Sequence, residues 1–212
     1  VKLTVFGGTG AAGRGLIEQA LEGGNEVTAF ARNPSKIALQ HARLTILQGE
    51  LEDEIPIENS LIGAGAAVSL LGPGAAGDYR SKPLARGTQN IIDAMKKLGI
   101  RRLIAVATPS ARAPDDLPEL KFRILVSIIR TAMRPAYDEI VGISQAVRAS
   151  ELDWTIVRVS TLNNKPGSGK IRVGYLGRGE VGAQISRADM AGFILDELKN
   201  GRYIGKMLVI SN

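Results

Sequence analysis

The chain has no cysteine, a single histidine and few aromatic residues, the last at 4% of 212 residues. Without cysteine, disulfides, thiolate nucleophiles and zinc–thiolate sites are excluded. With His41 alone, a multi-histidine metal site is excluded too. So few aromatic rings leave little on which single-stranded nucleic acid could stack. Long apolar runs are also lacking: Ile124–Ile129 is among the longest and falls far short of the ~20 residues that span a bilayer. Val1–Phe6 reads directly as strand, with no signal or transit pattern. These absences predict a cytoplasmic protein with neither nucleic acid nor membrane as partner.

What is present is ordinary globular material, with 44% hydrophobic and 23% charged residues. The formal net charge of +6 is scattered, and its densest group is Lys96, Lys97, Arg101 and Arg102. Such a charge suits an anionic partner or a phosphorylated small molecule. No repeat or linker divides the chain, so residues 1–212 are expected to form one domain, as a monomer or homodimer.

The order of elements is informative. Strand patterns at Lys2–Phe6, Glu26–Ala31, Leu44–Gln48, Ala66–Leu71, Arg102–Ala107, Thr155–Val159 and Met207–Ile210 alternate with helical ones. The helices fall at Ala11–Glu22, Ile55–Ile62, Gly87–Leu98 and Asp189–Leu198, with a long stretch inside Leu117–Ser150 broken at Arg134-Pro135. Gly23-Gly24 is expected to end the first helix, and Asn163–Arg178 to form a loop or β-excursion. Near-continuous apolar strands alternating with helices predict an α/β, doubly wound parallel sheet with helices on both faces. Ligands of such sheets bind beyond the carboxyl ends of the strands. That selects the loops after Phe6, Ala31, Leu71, Ala107 and Val159.

The first of these loops is Gly7-Gly8-Thr9-Gly10-Ala11-Ala12-Gly13. It satisfies Gly-x-Gly-x-x-Gly between a strand and a helix, the context the motif requires. Small residues let the chain turn sharply and let a pyrophosphate approach the backbone. The helix start then offers free N–H groups and the positive end of its dipole. This predicts a dinucleotide site of Rossmann type. The second strand ends Phe30-Ala31-Arg32-Asn33, without the acid that usually holds a ribose 2′-hydroxyl. Arg32, with Lys36 one turn later, can instead hold a 2′-phosphate by charge-assisted hydrogen bonds, which favours NADPH over NADH.

Gly7–Gly13, Ala29–Pro34, Ala66–Gly72, Gly87–Ile92, Asp153–Arg158 and Ile185–Ala191 together resemble the atypical short-chain dehydrogenase/reductases. Within them the chain is most similar to the NAD(P)H-binding group that includes NmrA-like proteins and flavin reductase/biliverdin reductase B. The resemblance covers nearly the whole chain. It implies a nicotinamide over Leu71-Gly72-Pro73 and Ala107-Thr108-Pro109-Ser110, and an adenine near Gly49-Glu50-Leu51, with Glu50 where Asp is commoner. It also implies a substrate region built from about 108–140 and 159–186.

The departures from the family pattern decide the chemistry. Catalytic short-chain dehydrogenases use Tyr-x-x-x-Lys with an upstream serine. Here Tyr137 is followed four residues later by Val141, and no Tyr-x-x-x-Lys occurs. The upstream hydroxyl survives as Thr108 or Ser110. His41 lies before the third strand, on the adenosine side. Ketone reduction makes an alkoxide that needs a proton donor or oxyanion partner. Hydride transfer to a flavin gives a delocalised anion and needs mainly two rings held in register. The sequence therefore predicts an NADPH-dependent oxidoreductase acting on a small-molecule acceptor, FMN or another flavin, with Thr108, Ser110 and Tyr137 as candidate catalytic residues. A non-catalytic redox sensor or regulator of NmrA type remains the alternative, and a sugar-nucleotide epimerase is disfavoured by the missing pair. The stripe Phe122, Ile124, Leu125, Ile128, Ile129 and Met133 is expected to be core or a dimer contact. Arg123, Arg130 and Arg134 beside it are either solvated or drawn to an anionic acceptor.

Overall fold

Alternation within the strands decides which side chains face which layer. Leu3 and Val5 of β1 (Lys2–Phe6) point to one face of the sheet, and Phe6 to the other. The computed structural model describes residues 1–74, 77, 79–81 and 83–212, with the side chains of Lys121 and Leu125 outside the description. The first half runs α1 (Ala11–Glu22), β2 (Glu26–Ala31), β3 (Leu44–Gln48), α2 (Glu54–Leu61), β4 (Ala66–Ser69), α3 (Pro83–Lys97) and β5 (Arg102–Ala107). The second half runs α4 (Leu120–Ala132), α5 (Arg134–Arg148), β6 (Asp153–Arg158), β7 (Leu162–Asn163), β8 (Arg172–Gly174), β9 (Ile185–Ser186), α6 (Arg187–Asn200) and β10 (Lys206–Ser211).

Eight strands form one sheet in the order β3-β2-β1-β4-β5-β6-β10-β8, parallel except for β8 at the edge; β7 and β9 pair separately. The winding reverses between β1 and β4, so the carboxyl ends of these two strands open the crevice where a ligand belongs. One core layer joins Leu16, Ile17, Met190 and Ile194 of α1 and α6 to the sheet. The other joins Ile57, Ile91, Ile92, Met95 and Val147 of α2, α3 and α5. Each such fully buried side chain contributes about 1.5–3 kcal/mol. The sheet, the helices on both faces and the β-excursion at Asn163–Arg178 follow the sequence expectation. No helix among the described residues is long and apolar enough to cross a membrane.

Gly23-Gly24 ends α1 as expected, with Gly23 as the cap and Gly24 in the left-handed conformation at φ +82°. One local expectation is corrected in part. The apolar stripe of α4 is not core within this chain: Ile124, Ile128 and Met133 are 53%, 59% and 53% exposed. Phe122 and Ile129 are half-buried, and the side chain of Leu125 lies outside the described residues. The reason is that α4 stands off the sheet and packs mainly on α5, so only one edge of its apolar surface is covered. The helix breaks at Met133, and Pro135 falls in the first turn of α5, where a missing N–H costs nothing.

The loop after β5 is fixed by a buried ion pair. Arg158 Nη1 and Nη2 donate to the two Asp116 carboxylate oxygens at 2.6 and 2.7 Å. Arg158 also donates to the carbonyls of Ala111 and Met207. Asp116 in turn accepts from the Ala113 and Leu176 N–H groups. Burial pushes the Asp116 carboxyl up, but Arg158 and these two N–H groups outweigh it and hold the group below the usual carboxylate range. A second buried carboxylate, Asp189, accepts from the Ser168 and Gly169 N–H groups, from the Ser186 hydroxyl and from the Asn212 amide. Burial opposes its ionisation, yet these donors lower it to about 2.

Asp116→Asn leaves the Arg158 charge buried without its counter-charge and is expected to cost about 3–5 kcal/mol. The double variant Arg158→Met/Asp116→Leu should cost clearly less. Urea unfolding measures both, and a single-variant loss under about 1 kcal/mol contradicts the assignment. Asp189, its value depressed in the fold, contributes stability that is complete above its unfolded pKa. That stability is lost as pH falls through the folded value of about 2. Asp189→Asn should therefore lose on the order of 2 kcal/mol at neutral pH and flatten the fall in stability below about pH 4.

Candidate functional site

The turn after β1 is packed so tightly that it admits only glycine at its ends. A Cβ on Gly13 would lie 2.3 Å from the Gly7 carbonyl oxygen and 2.7 Å from the Gly8 Cα. Gly7 has φ +86°, and a Cβ there would meet the Leu70 carbonyl at 2.9 Å. These contacts bring α1 against β1 and set the turn beside the end of β4. Gly10 differs: the nearest atom to an added Cβ is 3.6 Å away. It is exposed and caps α1 without any side-chain hydrogen bond, and no acid stands in the first turn. The open glycine and the uncapped helix start are what an approaching phosphate needs. Arg14 adds positive charge by donating to the Thr9 carbonyl at 2.7 Å.

A groove of about 500 Å³ runs across this turn at the switch point of the sheet. It brings together the expected Gly7, Thr9, Gly10, Arg32, Glu50, Leu51, Leu71 and Gly72. Gly8 and Gly13 lie buried behind it and Ala11 and Ala12 begin the helix, shaping the turn rather than lining the groove. At one end Arg32 Nε stands 4.0 Å from Glu50 Oε2, with the two side chains 78% and 55% exposed. So exposed a pair is worth little and yields readily to a stronger anion. Lys36 is exposed in the short turn Pro34–Lys36 and is not among the groove-lining residues.

The other end is formed by Leu70, Leu71 and Gly72 and by the start of α3. That start is held by Glu139 of α5, whose fully buried carboxylate accepts from the Leu84 and Ala85 N–H groups at 2.9 and 2.7 Å. Pro83 and Leu84 thereby become a fixed wall of the groove. Pro73, Ala107 and Thr108 are half-buried and Ser110 is buried; none is among the lining residues. Thr108 Oγ1 is nonetheless a buried hydroxyl without a hydrogen-bond partner at the end of β5. Tyr137 lines a different hollow, with Arg112, Arg123 and Arg130. His41 is spent in a turn, its Nδ1 accepting from the Arg43 N–H at 3.0 Å. Among the described residues no group of three or more His, Asp or Glu side chains could hold a metal ion.

Sequence reasoning missed Phe30, Glu52, Tyr79, Pro83 and Leu84 as groove residues. Phe30 carried a signal, since it directly precedes the strand end at Ala31. Tyr79, whose hydroxyl accepts from the Gly74 N–H at 2.6 Å, comes from an irregular loop without a periodic pattern.

A bound NAD(P) fits these residues. The uncapped α1 start would hold its pyrophosphate, Arg32 and Glu50 its adenosine ribose, and Leu71-Gly72 its nicotinamide end.

Comparisons with known proteins agree. A UPF0659 protein of Schizosaccharomyces pombe is 28% identical over 208 residues, which cover 90% of this chain and 81% of that protein. A 2-alkyl-3-oxoalkanoate reductase of Stenotrophomonas maltophilia is 34% identical over 113 residues, 52% of this chain and 34% of the enzyme. The chain spans about a third of the length of the dehydrogenase and reductase relatives it matches. Among solved structures, a short-chain dehydrogenase/reductase of Veillonella parvula in complex with NADP superposes with a TM-score of 0.75 at 19% identity, covering 100% of this chain and 94% of that one. The family model described as NAD(P)H-binding matches residues 7–201, nearly the whole chain, and the protein belongs to that NAD(P)H-binding family.

Proposed function

We propose that the protein is an NADPH-dependent oxidoreductase that passes a hydride to a flavin or a similar conjugated acceptor. The observation that carries this reading is the groove itself. It has an uncapped helix start at its centre, a lightly held guanidinium at the adenosine end and no Tyr-x-x-x-Lys pair at the other. A bound NADPH would supply the hydride. The protein's own residues then have three tasks.

The first is to choose the cofactor. Arg32 can leave Glu50 for a 2′-phosphate, exchanging an exposed ion pair for a bidentate charge-assisted one. The second is to fix the ring. Leu71 and Gly72 form one side, while the unpartnered Thr108 hydroxyl stands buried at the end of β5 and does not reach the groove. The third is to hold the acceptor near that ring, which we assign to the segments around 108–140 and 159–186, with Ser110 and Tyr137 as supporting side chains. No proton need be delivered to an alkoxide, because reducing a flavin leaves a delocalised anion; hydride and charge both pass to the acceptor, and NADP⁺ leaves. The absent Tyr-x-x-x-Lys pair also favours a second reading, a cofactor-binding redox sensor without turnover, which the same assay separates.

Purified protein should oxidise NADPH saturably in the presence of FMN, and faster than it oxidises NADH. Cofactor binding without oxidation, by FMN or any quinone tried, rejects the reductase in favour of the sensor. Arg32→Ala should weaken NADPH binding by about 10- to 100-fold and leave NADH within about twofold, the worth of one strong charge-assisted contact. Glu50→Gln should tighten NADPH by freeing the guanidinium. Equal losses for both cofactors in a calorimetric titration of Arg32→Ala remove the 2′-phosphate assignment.

A further inference from the structure

Between α4, α5 and the loop after β5 lies a hollow of about 210 Å³ whose charge is entirely of one sign. Arg112, Arg123 and Arg130 line it with Phe122 and Tyr137, and no carboxylate is among its lining residues. Most other arginines of the chain are partnered: Arg134 lies 3.9 Å from Asp138, Arg101 pairs with Asp153 and Arg102 with Glu197. Among the described residues, the guanidiniums of Arg112, Arg123 and Arg130 have no hydrogen-bond or ion-pair partner. Arg123 and Arg130 are seven residues apart on α4, two turns of one face. Arg112 faces them from the other wall.

That wall is rigid. The Ala111 carbonyl accepts from Arg158, and the Ala113 N–H donates to Asp116, so both neighbours of Arg112 are tied to the buried ion pair. The hollow shares no lining residue with the groove, but α5 contributes to both. Tyr137 is two residues from Glu139, which holds the N–H of the groove residue Leu84 at 2.9 Å. Arg112 is four residues beyond Thr108. Three guanidiniums gathered without an acid repel one another and are relieved by a bound anion. Three positive charges match a phosphate dianion better than a single carboxylate, and guanidinium forks fit phosphate oxygens two at a time.

We propose that this hollow seats the terminal phosphate of the acceptor, making the substrate a phosphorylated planar redox compound such as FMN rather than its dephosphorylated form. The proposal rests on the reductase reading above for the position of the ring, but the seat itself is tested by binding alone. Arg123 and Arg130 are exposed, so Arg123→Gln/Arg130→Gln is expected to fold normally, which thermal unfolding checks.

The test has two readouts on the intact chain without cofactor. In NMR titrations with inorganic phosphate, the side-chain Nε–H signals of Arg112, Arg123 and Arg130 should shift together. In fluorescence titrations, FMN should bind at least about tenfold more tightly than riboflavin. The double variant should abolish that difference while leaving riboflavin and NADPH affinities unchanged. No arginine shift with phosphate, equal affinity for FMN and riboflavin, or equal loss of both in the variant overturns the seat. FMN bound through these arginines but never reduced by NADPH upholds the seat and removes the reductase reading instead.

Discussion

The loop after β5 and the strand ends around it depend on the ion pair between Arg158 and Asp116. Both side chains are buried, and between them they engage the backbone at Ala111, Ala113, Leu176 and Met207. A pair so far from water adds little net stability by itself, because desolvation offsets much of the attraction. Its consequence is positional. The loop after β5 would otherwise be a long irregular segment, and the pair ties it to β6, to β10 and to the turn after β8. Thr108, Ser110 and Arg112 all stand on the backbone that it fixes.

The cofactor side depends on a different constraint, steric rather than electrostatic. Gly13 has no room for a side chain against Gly7, whereas Gly10 has room and is open to the groove. The first contact draws helix and strand together, and the second leaves the helix start bare for phosphate. Glu139 does the opposite at α3, filling that helix start with a carboxylate and closing it to any other anion. Of these two helix starts, one is therefore available to a ligand and one is not. The sequence holds no Tyr-x-x-x-Lys, so the proposed acceptor is one able to keep the charge it receives.

Much of this was legible in the sequence because it is local. The turn Gly7–Gly13, Arg32 at the end of β2 and Gly72 after β4 are each read from a strand end and the residues after it, and all reach the groove. Lys36 was placed beside Arg32 by sequence distance, but the turn at Pro34 sends it out of the groove lining. The ridge of α4 was expected to be core or a dimer contact, and its exposure removes only the first, because periodicity shows that a helix has an apolar face, not what covers it. Arg158 and Asp116 lie 42 residues apart, and no local pattern pairs them. Arg112 was overlooked as a neighbour of Arg123 and Arg130 for the same reason, since only the folded loop brings it across from α4.

The central claim, hydride delivery from a reduced cofactor held in this groove to a flavin, is tested most directly by an anaerobic single turnover. Protein, FMN and NADPH carrying deuterium on one face of the nicotinamide C4 are mixed, and bleaching of the flavin is followed. The account predicts a several-fold slower bleaching for deuterium on one face and none for the other, because groove walls at Leu71-Gly72 and Pro83-Leu84 would hold a bound ring in one orientation. Equal slowing from both faces would show that the ring is not held, and no bleaching by bound NADPH would contradict the claim outright.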